Sequence, residues 1–356
     1  MEKPIQKILF GGPGTGKSWW IDNRIIPDEL GIKKEETPEN IIKTVFHPEY
    51  THGDFMGKLV PITRSEKIHY DFYEGDFLKA LAQAYKNIIE SYDVNGKPIE
   101  NCPAKKVVLV IDEINRGNSA AIFGPIFQLL DRNDEDKVWS TYCVNVNEII
   151  LIKILELIGV KFYDQNGKID KYELKPHIPY HLEEFQKKIE FLKFDLINRT
   201  IKLPYNLSIL ATMNTSESSI YYMDSAFKRR WEWEFMDIDS NKPVCEPGVA
   251  FETRDKWKEF IKKINAFIKS NYKYIRGIED KQIGFYFIKD DQITKEVIQS
   301  KLMFFLWDNV FTRDKKPLIK LCYGEDAKYH DNLITFGDFA KQVDLFIRKI
   351  NTFGNV

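Results

Sequence analysis

Three short groups of residues carry the side chains that could do chemistry in this sequence. The first reads GGPGTGKSWW and places a lysine and a serine, Lys17 and Ser18, directly after a glycine-rich loop. Glycines let successive backbone N–H groups turn toward one anion, the lysine reaches the terminal phosphates, and the serine hydroxyl is a Mg²⁺ ligand. This spacing predicts a nucleoside triphosphate site whose loop contacts come from Gly12, Pro13, Gly14, Thr15 and Gly16.

The second group is an acidic pair, Asp112 and Glu113, that follows the aliphatic run VVLVI. Such a run predicts a strand buried on both faces, with the carboxylates at its C-terminal end. Ligands bind outside that end of an open α/β sheet, so we expect Asp112 to hold Mg²⁺ and Glu113 to orient or deprotonate a water. The pair therefore predicts hydrolysis. An N-cap aspartate at an acidic helix start is the structural alternative.

The third group joins an amide to a basic run. Asn214 ends the run NLSILATMN, where it either hydrogen-bonds the γ-phosphate or the attacking water, or forms a turn. Arg229 and Arg230 end the run KRR. Such a run is either a solvated face or, opposite a neighbouring subunit's phosphate, a set of arginine fingers. Glu113, Asn214, Arg229 and Arg230 are the candidate catalytic residues.

Short apolar runs separated by longer mixed segments must position these side chains. Strands are predicted at 5–10, 41–46, 106–111, 206–212 and 231–238, and helices at 17–26, 75–91 and 118–131. These spacings favour a parallel sheet covered by helices on both faces. We expect Trp19 and Trp20 to pack the first helix against that sheet.

The pattern along the chain predicts two domains. Residues 1–240 are the predicted nucleotide-binding core, with an insertion at about 140–200 that holds an apolar helix, a hairpin turning at Asn166-Gly167 and a charged helix. A polar stretch containing proline and glycine, 239–248, marks the boundary. Residues 241–356 are predicted to be mainly helical, with one short β signal at 282–288.

Composition limits the classes of function. The chain has 356 residues, 43% of them hydrophobic, which is enough for packed cores. Its 52 basic and 53 acidic side chains exclude a global positive field that would draw the isolated chain to nucleic acid. The cysteines show no zinc spacing, so free thiols are expected, and the most apolar run is interrupted by charges. A cytoplasmic protein with no membrane contact is the expectation.

Together these residues resemble the AAA+ family, and more narrowly its McrB-like branch, the GTP-hydrolysing motor subunits of modification-dependent restriction systems. The narrow resemblance lies in residues 45–61, 109–131 and 203–235, and more weakly in QIGFYF at 282–287. It implies an α/β fold: a three-layer αβα P-loop sandwich with a parallel sheet, followed by a small, mainly helical C-terminal lid domain. It also implies a homo-oligomeric ring, usually a hexamer, with nucleotide held between subunits.

The resemblance assigns a role to each candidate residue. It implies that Lys17 and Ser18 contact phosphates and Mg²⁺, that Asp112 and Glu113 serve metal and water, and that Asn214 senses the γ-phosphate. Arg229 and Arg230 would act in trans, on the neighbouring subunit's nucleotide.

This sequence departs from the family pattern in two places. Ser216, Glu217 and Ser218 stand where the family has Ala-Asp-Arg, so a preference for GTP is not implied and ATP is the default substrate. The phosphate loop begins at residue 11, which leaves no room for the N-terminal domain that reads modified DNA in the best known members. Target recognition is then expected from another chain or from the 140–200 insertion, or is missing.

The leading interpretation is a ring-forming ATPase or GTPase coupled to a McrC-like nuclease or another defence effector. Contact with DNA is expected through the assembly or the partner. The same sheet and site would serve a MoxR-like AAA+ chaperone that remodels a protein partner. They would also serve a scaffold that uses nucleotide only to lock a ring.

Overall fold

The chain divides into two compact units, Met1–Trp231 and Glu232–Val356. The structure is a computed structural model that describes residues 3–353 except 65–66, 133–137, 166–167, 175–177, 215–220, 222, 238–247, 289, 291 and 325–332. The expected domain boundary after residue 240 falls in one of these gaps. Cys102, Cys143 and Cys322 are free thiols.

The strands and helices follow in chain order. The strands are β1 (Gln6–Gly11), β2 (Ile41–Val45), β3 (Gly57–Arg64), β4 (Lys67–Glu74), β5 (Val107–Asp112), β6 (Val144–Asn145), β7 (Lys161–Gln165), β8 (Lys168–Leu174), β9 (Ile178–His181), β10 (Thr200–Ile201), β11 (Leu207–Asn214), β12 (Glu232–Met236), β13 (Val249–Phe251) and β14 (Ile293–Thr294). The α-helices are α1 (Lys17–Trp20), α2 (His52–Met56), α3 (Asp76–Glu90), α4 (Ser119–Phe123), α5 (Glu148–Leu157), α6 (Leu182–Lys188), α7 (Ser225–Lys228), α8 (Arg254–Ser270), α9 (Lys295–Val297), α10 (Lys316–Tyr323), α11 (Phe336–Ala340) and α12 (Val343–Thr352). Shorter helical segments are π-helical at Ile21–Glu29, Ile298–Met303 and Leu306–Val310, and 3₁₀ at Pro38–Asn40, Gly124–Leu130, Glu190–Leu192, Tyr272–Tyr274 and Ile278–Lys281.

A parallel sheet forms the centre of the first unit. Within that unit its strands run in the order β1, β11, β5, β2. Gly11 lies opposite Asn214 across β1 and β11, and Val45 lies opposite Asp112 across β2 and β5. Parallel strands bring their C-terminal ends to one edge of a sheet, so the phosphate loop, Asp112 and Asn214 meet there. The predicted αβα P-loop fold is confirmed.

Helix α3 shows how the layers over this sheet are held. Its apolar residues recur at helical spacing and are buried against β2, β5 and β11. The helix starts after Gly75, where an added Cβ would lie 2.2 Å from the backbone carbonyl of Phe55. Only glycine fits so close an approach. The expectation that Trp19 is buried against the sheet was wrong, because this residue is 58% exposed.

Two additions lie outside the parallel sheet of the first unit. Strands β3 and β4 pair along eight residues each as an antiparallel hairpin that the sequence analysis missed, with Ile68, Tyr70 and Tyr73 exposed on it. The insertion begins and ends with the paired strands β6 and β10. Between them lie α5, the antiparallel strands β7, β8 and β9, and α6, so its predicted helices and hairpin strands are present.

The second unit is mainly helical. Its α8 buries one apolar stripe, and β13 pairs with β14. The strand expected from the β signal at 282–288 does not form. Side chains of α8 hydrogen-bond to backbone groups of this segment with which a neighbouring strand would otherwise pair. Asn265 exchanges two hydrogen bonds of 2.8 Å with the backbone of Ile283, and Trp257 Nε1 donates to the carbonyl of Phe285 at 2.9 Å. In the described part of the chain, no helix has both the length and the apolar character needed to cross a bilayer.

Candidate active site

The loop between β1 and α1 has the backbone shape that phosphate binding requires. Gly14 and Gly16 have φ of 77° and 80°, a left-handed conformation that favours glycine. Lys17 is 7% exposed, and its Nζ donates to the carbonyl of Gly12 at 2.7 Å and to Asn214 Oδ1 at 2.8 Å. Thr15 closes the loop by donating to the same carbonyl at 3.0 Å. The predicted loop residues are thus arranged around a buried lysine ammonium.

Ser18 and Asp112 come together at the sheet edge. The hydroxyl of Ser18 donates to Asp112 Oδ1 at 3.0 Å, although the two residues are far apart in sequence. A hydroxyl and a carboxylate are the hard oxygen ligands that Mg²⁺ prefers, and this ion usually takes only one or two protein ligands beside water and phosphate oxygens. The described residues contain no larger His, Cys, Asp or Glu cluster that could hold a metal. The Ser18–Asp112 pair therefore fits Mg²⁺ that arrives with a triphosphate.

Glu113 adopts an unusual backbone conformation. Its φ is 57°, in the left-handed region that residues with a side chain rarely enter. Its N–H donates to Thr212 Oγ1 at 3.1 Å, and its Oε1 accepts from Asn214 Nδ2 at 2.7 Å. Surrounding bonds therefore hold both the backbone and the carboxylate, as expected for a strained residue at a functional site.

Asn214 connects the phosphate loop to the acidic pair. Its side chain is buried at the end of β11. The amide accepts from Lys17 through Oδ1 and donates to Glu113 through Nδ2, so each end of the amide has a distinct partner. An alanine or an aspartate could not make both bonds. The structure thus places Lys17, Asn214 and Glu113 in one hydrogen-bonded chain, and their roles in catalysis stay predictions.

Two further residues of this site were missed by the sequence analysis. Thr212 donates to Asp112 Oδ1 at 2.9 Å while accepting from the Glu113 N–H, so one hydroxyl positions both members of the acidic pair. Buried Asn115 donates to the carbonyl of Asn214 at 2.8 Å. The sequence could have identified Thr212 by its position two residues before Asn214, because this spacing places both side chains on one face of a strand.

The two adjacent arginines have different surroundings. Arg229 is exposed. The Arg230 side chain is only 6% exposed, donates to Asp131 Oδ2 at 2.9 and 2.6 Å, and lies over the ring of Phe127 at 4.4 Å. It also donates to the carbonyl of Ala226 at 2.6 Å. In this conformation Arg230 is engaged within its own chain, whereas Arg229 is exposed.

The departure from the family pattern at Ser216, Glu217 and Ser218 lies outside the described residues. The described part of the site ends at Asn214 on this side.

Comparison with known proteins yields two relatives. One is a component, YdiS, of the type II restriction enzyme BsuMI of Bacillus subtilis strain 168, 27% identical over 337 residues, or 86% of this chain and 80% of that protein. The other is the EcoKMcrB subunit of a type IV methyl-directed restriction enzyme of Escherichia coli K12, 24% identical over 239 residues. This match spans 65% of the present chain but only 35% of the relative.

Two other comparisons carry less weight. No protein-family model matches the sequence. A 2.00 Å crystal structure of a protein from Cytophaga hutchinsonii is 12% identical in sequence, and the match covers 65% of this chain and 41% of that protein's chain. Its TM-score of 0.24 is too low to support any argument. The assignment rests instead on the two relatives, on the parallel sheet order and on the motifs along its C-terminal edge. Together these findings support an McrB-like AAA+ ATPase.

Proposed function

We propose that this chain is a nucleoside triphosphatase that acts as the motor subunit of a McrBC-like restriction or antiphage defence system. The observation that carries the proposal is the hydrogen-bonded chain from Lys17 through Asn214 to Glu113. It links the proposed phosphate-binding lysine to the proposed general base. Both relatives are named as parts of restriction enzymes, which supports the defence context.

The proposed reaction is hydrolysis of the terminal phosphate. Glu113 accepts a proton from water as the water oxygen bonds to the γ-phosphorus. The bond between the γ-phosphorus and the bridging oxygen breaks, giving a nucleoside diphosphate and inorganic phosphate. Ser18 and Asp112 would hold Mg²⁺, which would supply positive charge to the phosphates when bound. Asn214 then contacts the γ-phosphate, and Lys17 exchanges its present carbonyl and amide partners for phosphate oxygens.

The proposal extends to a shared site in a homo-oligomeric ring, in keeping with the hexamer that the family resemblance implies. Arg229 is the finger that reaches the neighbouring nucleotide, because the guanidinium of Arg230 is already used within the subunit. The partner is a McrC-like nuclease or another defence effector, and DNA is engaged through that assembly. ATP is the first substrate to test, followed by GTP.

Glu113→Gln tests the catalytic assignment. This variant keeps the hydrogen-bonding shape but cannot take the proton, so turnover should fall by about a hundredfold or more while binding of labelled ATP persists. Glu183→Gln, on the exposed surface of α6, is the matched control and should hydrolyse at the normal rate. Normal steady-state turnover by Glu113→Gln would remove Glu113 as the base.

Mixing subunits tests the shared site. An Arg229→Ala chain mixed with a Lys17→Ala chain should recover part of the activity, because some interfaces then combine an intact loop with an intact finger. A mixture of Lys17→Ala and Glu113→Gln should not recover, since every site lacks one of its own residues. Lack of recovery in the first mixture, with co-assembly shown by native mass spectrometry, contradicts a trans-acting Arg229.

The same assay separates the proposed motor from a chaperone. Hydrolysis of ATP and GTP is measured with and without DNA at two salt concentrations, and with the products of neighbouring genes. Stimulation by DNA that weakens with salt supports the motor, because phosphate contacts are screened by ions. Stimulation by a protein alone supports a MoxR-like chaperone instead.

A further inference from the structure

A cavity lies in the first unit, at the edge of the sheet opposite the candidate active site. Its volume is about 510 Å³. It is lined by residues just before the parallel strands, namely Pro4, Asn40, Lys106 and Asn206. The strands are five to eight residues long, so at about 3.3 Å per residue the cavity lies roughly 20 Å from the phosphate loop. This cavity is therefore separate from the nucleotide site.

The lining has an apolar body and a basic rim. Apolar walls come from Leu30 and Ile32, at the end of the helical segment that follows the phosphate loop, and from Ala104. Among the described lining residues are four lysines and one acidic residue, Glu36, which pairs with Lys33 at 2.9 Å, so the lining keeps a positive excess although the whole chain carries a net charge of −1. Such a local excess of positive charge attracts anions.

One polar atom beside this cavity has no hydrogen-bond partner among the described residues. Asn206 is 4% exposed and donates through Nδ2 to the carbonyls of Ala84 at 3.0 Å and Lys105 at 2.9 Å. These two bonds fix the orientation of its amide. Its Oδ1 is buried and accepts no hydrogen bond from any described residue. A buried acceptor of this kind is costly unless a donor reaches it, and a ligand N–H or O–H would supply one.

We propose that this cavity binds a small organic anion with an aromatic or aliphatic body. The volume falls within the range of small-molecule sites, and such sites combine apolar walls with a few placed polar groups. The ring or chain of the ligand lies against the apolar walls, its acidic group faces the lysines, and a donor on its body reaches Asn206. Binding does not require hydrolysis, so the inference stands apart from the proposed function.

The probe for this site is 8-anilinonaphthalene-1-sulfonate, which joins aromatic rings to one sulfonate and fluoresces in apolar surroundings. The full-length chain is titrated with and without saturating Mg²⁺-ATP, and the stoichiometry is checked by calorimetry. We expect one saturable site per chain whose affinity is the same with ATP and in Lys17→Ala. Displacement by ATP would place the probe in the nucleotide site and overturn the inference.

Two variants locate the probe. Ala104→Trp fills the cavity and should weaken binding by about tenfold or more, with folding checked by thermal unfolding. Lys33→Gln/Lys105→Gln neutralises the rim and should weaken binding about fivefold, an effect that added salt removes. The matched control, Lys67→Gln/Lys86→Gln, changes two exposed lysines outside the cavity and should bind normally. Equal affinity in the wild type and the lysine-rim variant overturns the proposal, even if Ala104→Trp fails to fold.

Discussion

Arg229 and Arg230 are neighbours in sequence, but their surroundings predict opposite effects when each is replaced. Arg230→Met keeps a flexible apolar side chain over Phe127 and removes the guanidinium. Asp131, whose side chain is 21% exposed, then loses its ion pair, and the carbonyl of Ala226 loses a donor. Arg229→Met removes an exposed charge and leaves these contacts in place.

The burial of the ion pair sets the size of the effect. Breaking a buried pair by removing one partner costs about 3–5 kcal/mol, and the partial exposure of Asp131 favours the lower end. In a protein of this size, about 3 kcal/mol lowers the Tm by roughly 6–12 °C. An exposed substitution changes the free energy of unfolding by about 0.5 kcal/mol or less, which moves the Tm by at most about 2 °C.

The assay combines thermal unfolding with hydrolysis. Arg230→Met should melt well below the wild type, while Arg229→Met should melt normally and lose turnover. Adding Asp131→Asn to Arg230→Met should cost less than the sum of the single effects, because both changes remove one interaction. An Arg230→Met protein that melts within 2 °C of the wild type (a margin of about 0.5–1 kcal/mol) would refute the assignment of Arg230 to the internal ion pair.

Two more predictions follow from buried or paired charges. Arg132 donates to the carbonyls of Pro204 and Leu207 at 2.8 and 2.7 Å, and burial lowers the pKa of its guanidinium. Because Arg132→Met leaves these carbonyls without a donor, it should lower the free energy of unfolding by about 3 kcal/mol, as measured by urea denaturation. Hydrogen bonds from Lys58 and Thr51 lower the pKa of Asp54 to about 2 in the folded protein. The charged form of Asp54 therefore stabilises the fold at pH values above the normal carboxyl pKa. This stabilisation is lost as the pH falls through the pKa of Asp54 in the folded protein. Asp54→Asn should cost about 1 kcal/mol at pH 7, and its melting curve should approach that of the wild type between about pH 4 and pH 2; a constant difference would contradict the pKa assignment.

Much of the parallel sheet could be predicted from the sequence, because buried parallel strands leave uninterrupted aliphatic runs. The runs before Asp112 and Asn214 also showed that both side chains lie at one sheet edge, since parallel strands share their direction. The hairpin of β3 and β4 gave a weaker signal. Polar and apolar residues alternate over KIHYDF, residues 67–72, but Ile68 and Tyr70 on the apolar face are exposed, so this alternation does not mark a face buried in the core.

The finer parts of the site depend on contacts between distant segments. Nothing in the KRR run shows that Arg230 pairs with Asp131, because the two residues are 99 positions apart. In the sequence, Thr212 cannot be distinguished from other β-branched strand residues. Only the pairing of β5 with β11 brings its hydroxyl between the Asp112 carboxylate and the Glu113 N–H. The left-handed backbone of Glu113 is likewise a property of the assembled sheet edge and not of local propensity.

The paired strands β6 and β10 have a consequence for how this protein could change over evolution. Thr200 lies opposite Asn145, and the N–H of Val146 donates to the carbonyl of Arg199 at 2.9 Å. Because paired strands lie about 5 Å apart, the two ends of the insertion nearly meet. A turn of about two to four residues can join such ends, so the whole segment can be lost, or exchanged for one of another length, without stretching the parallel sheet. Descendants of one ancestral protein can therefore differ in this segment while the residues at the C-terminal ends of their parallel strands stay the same.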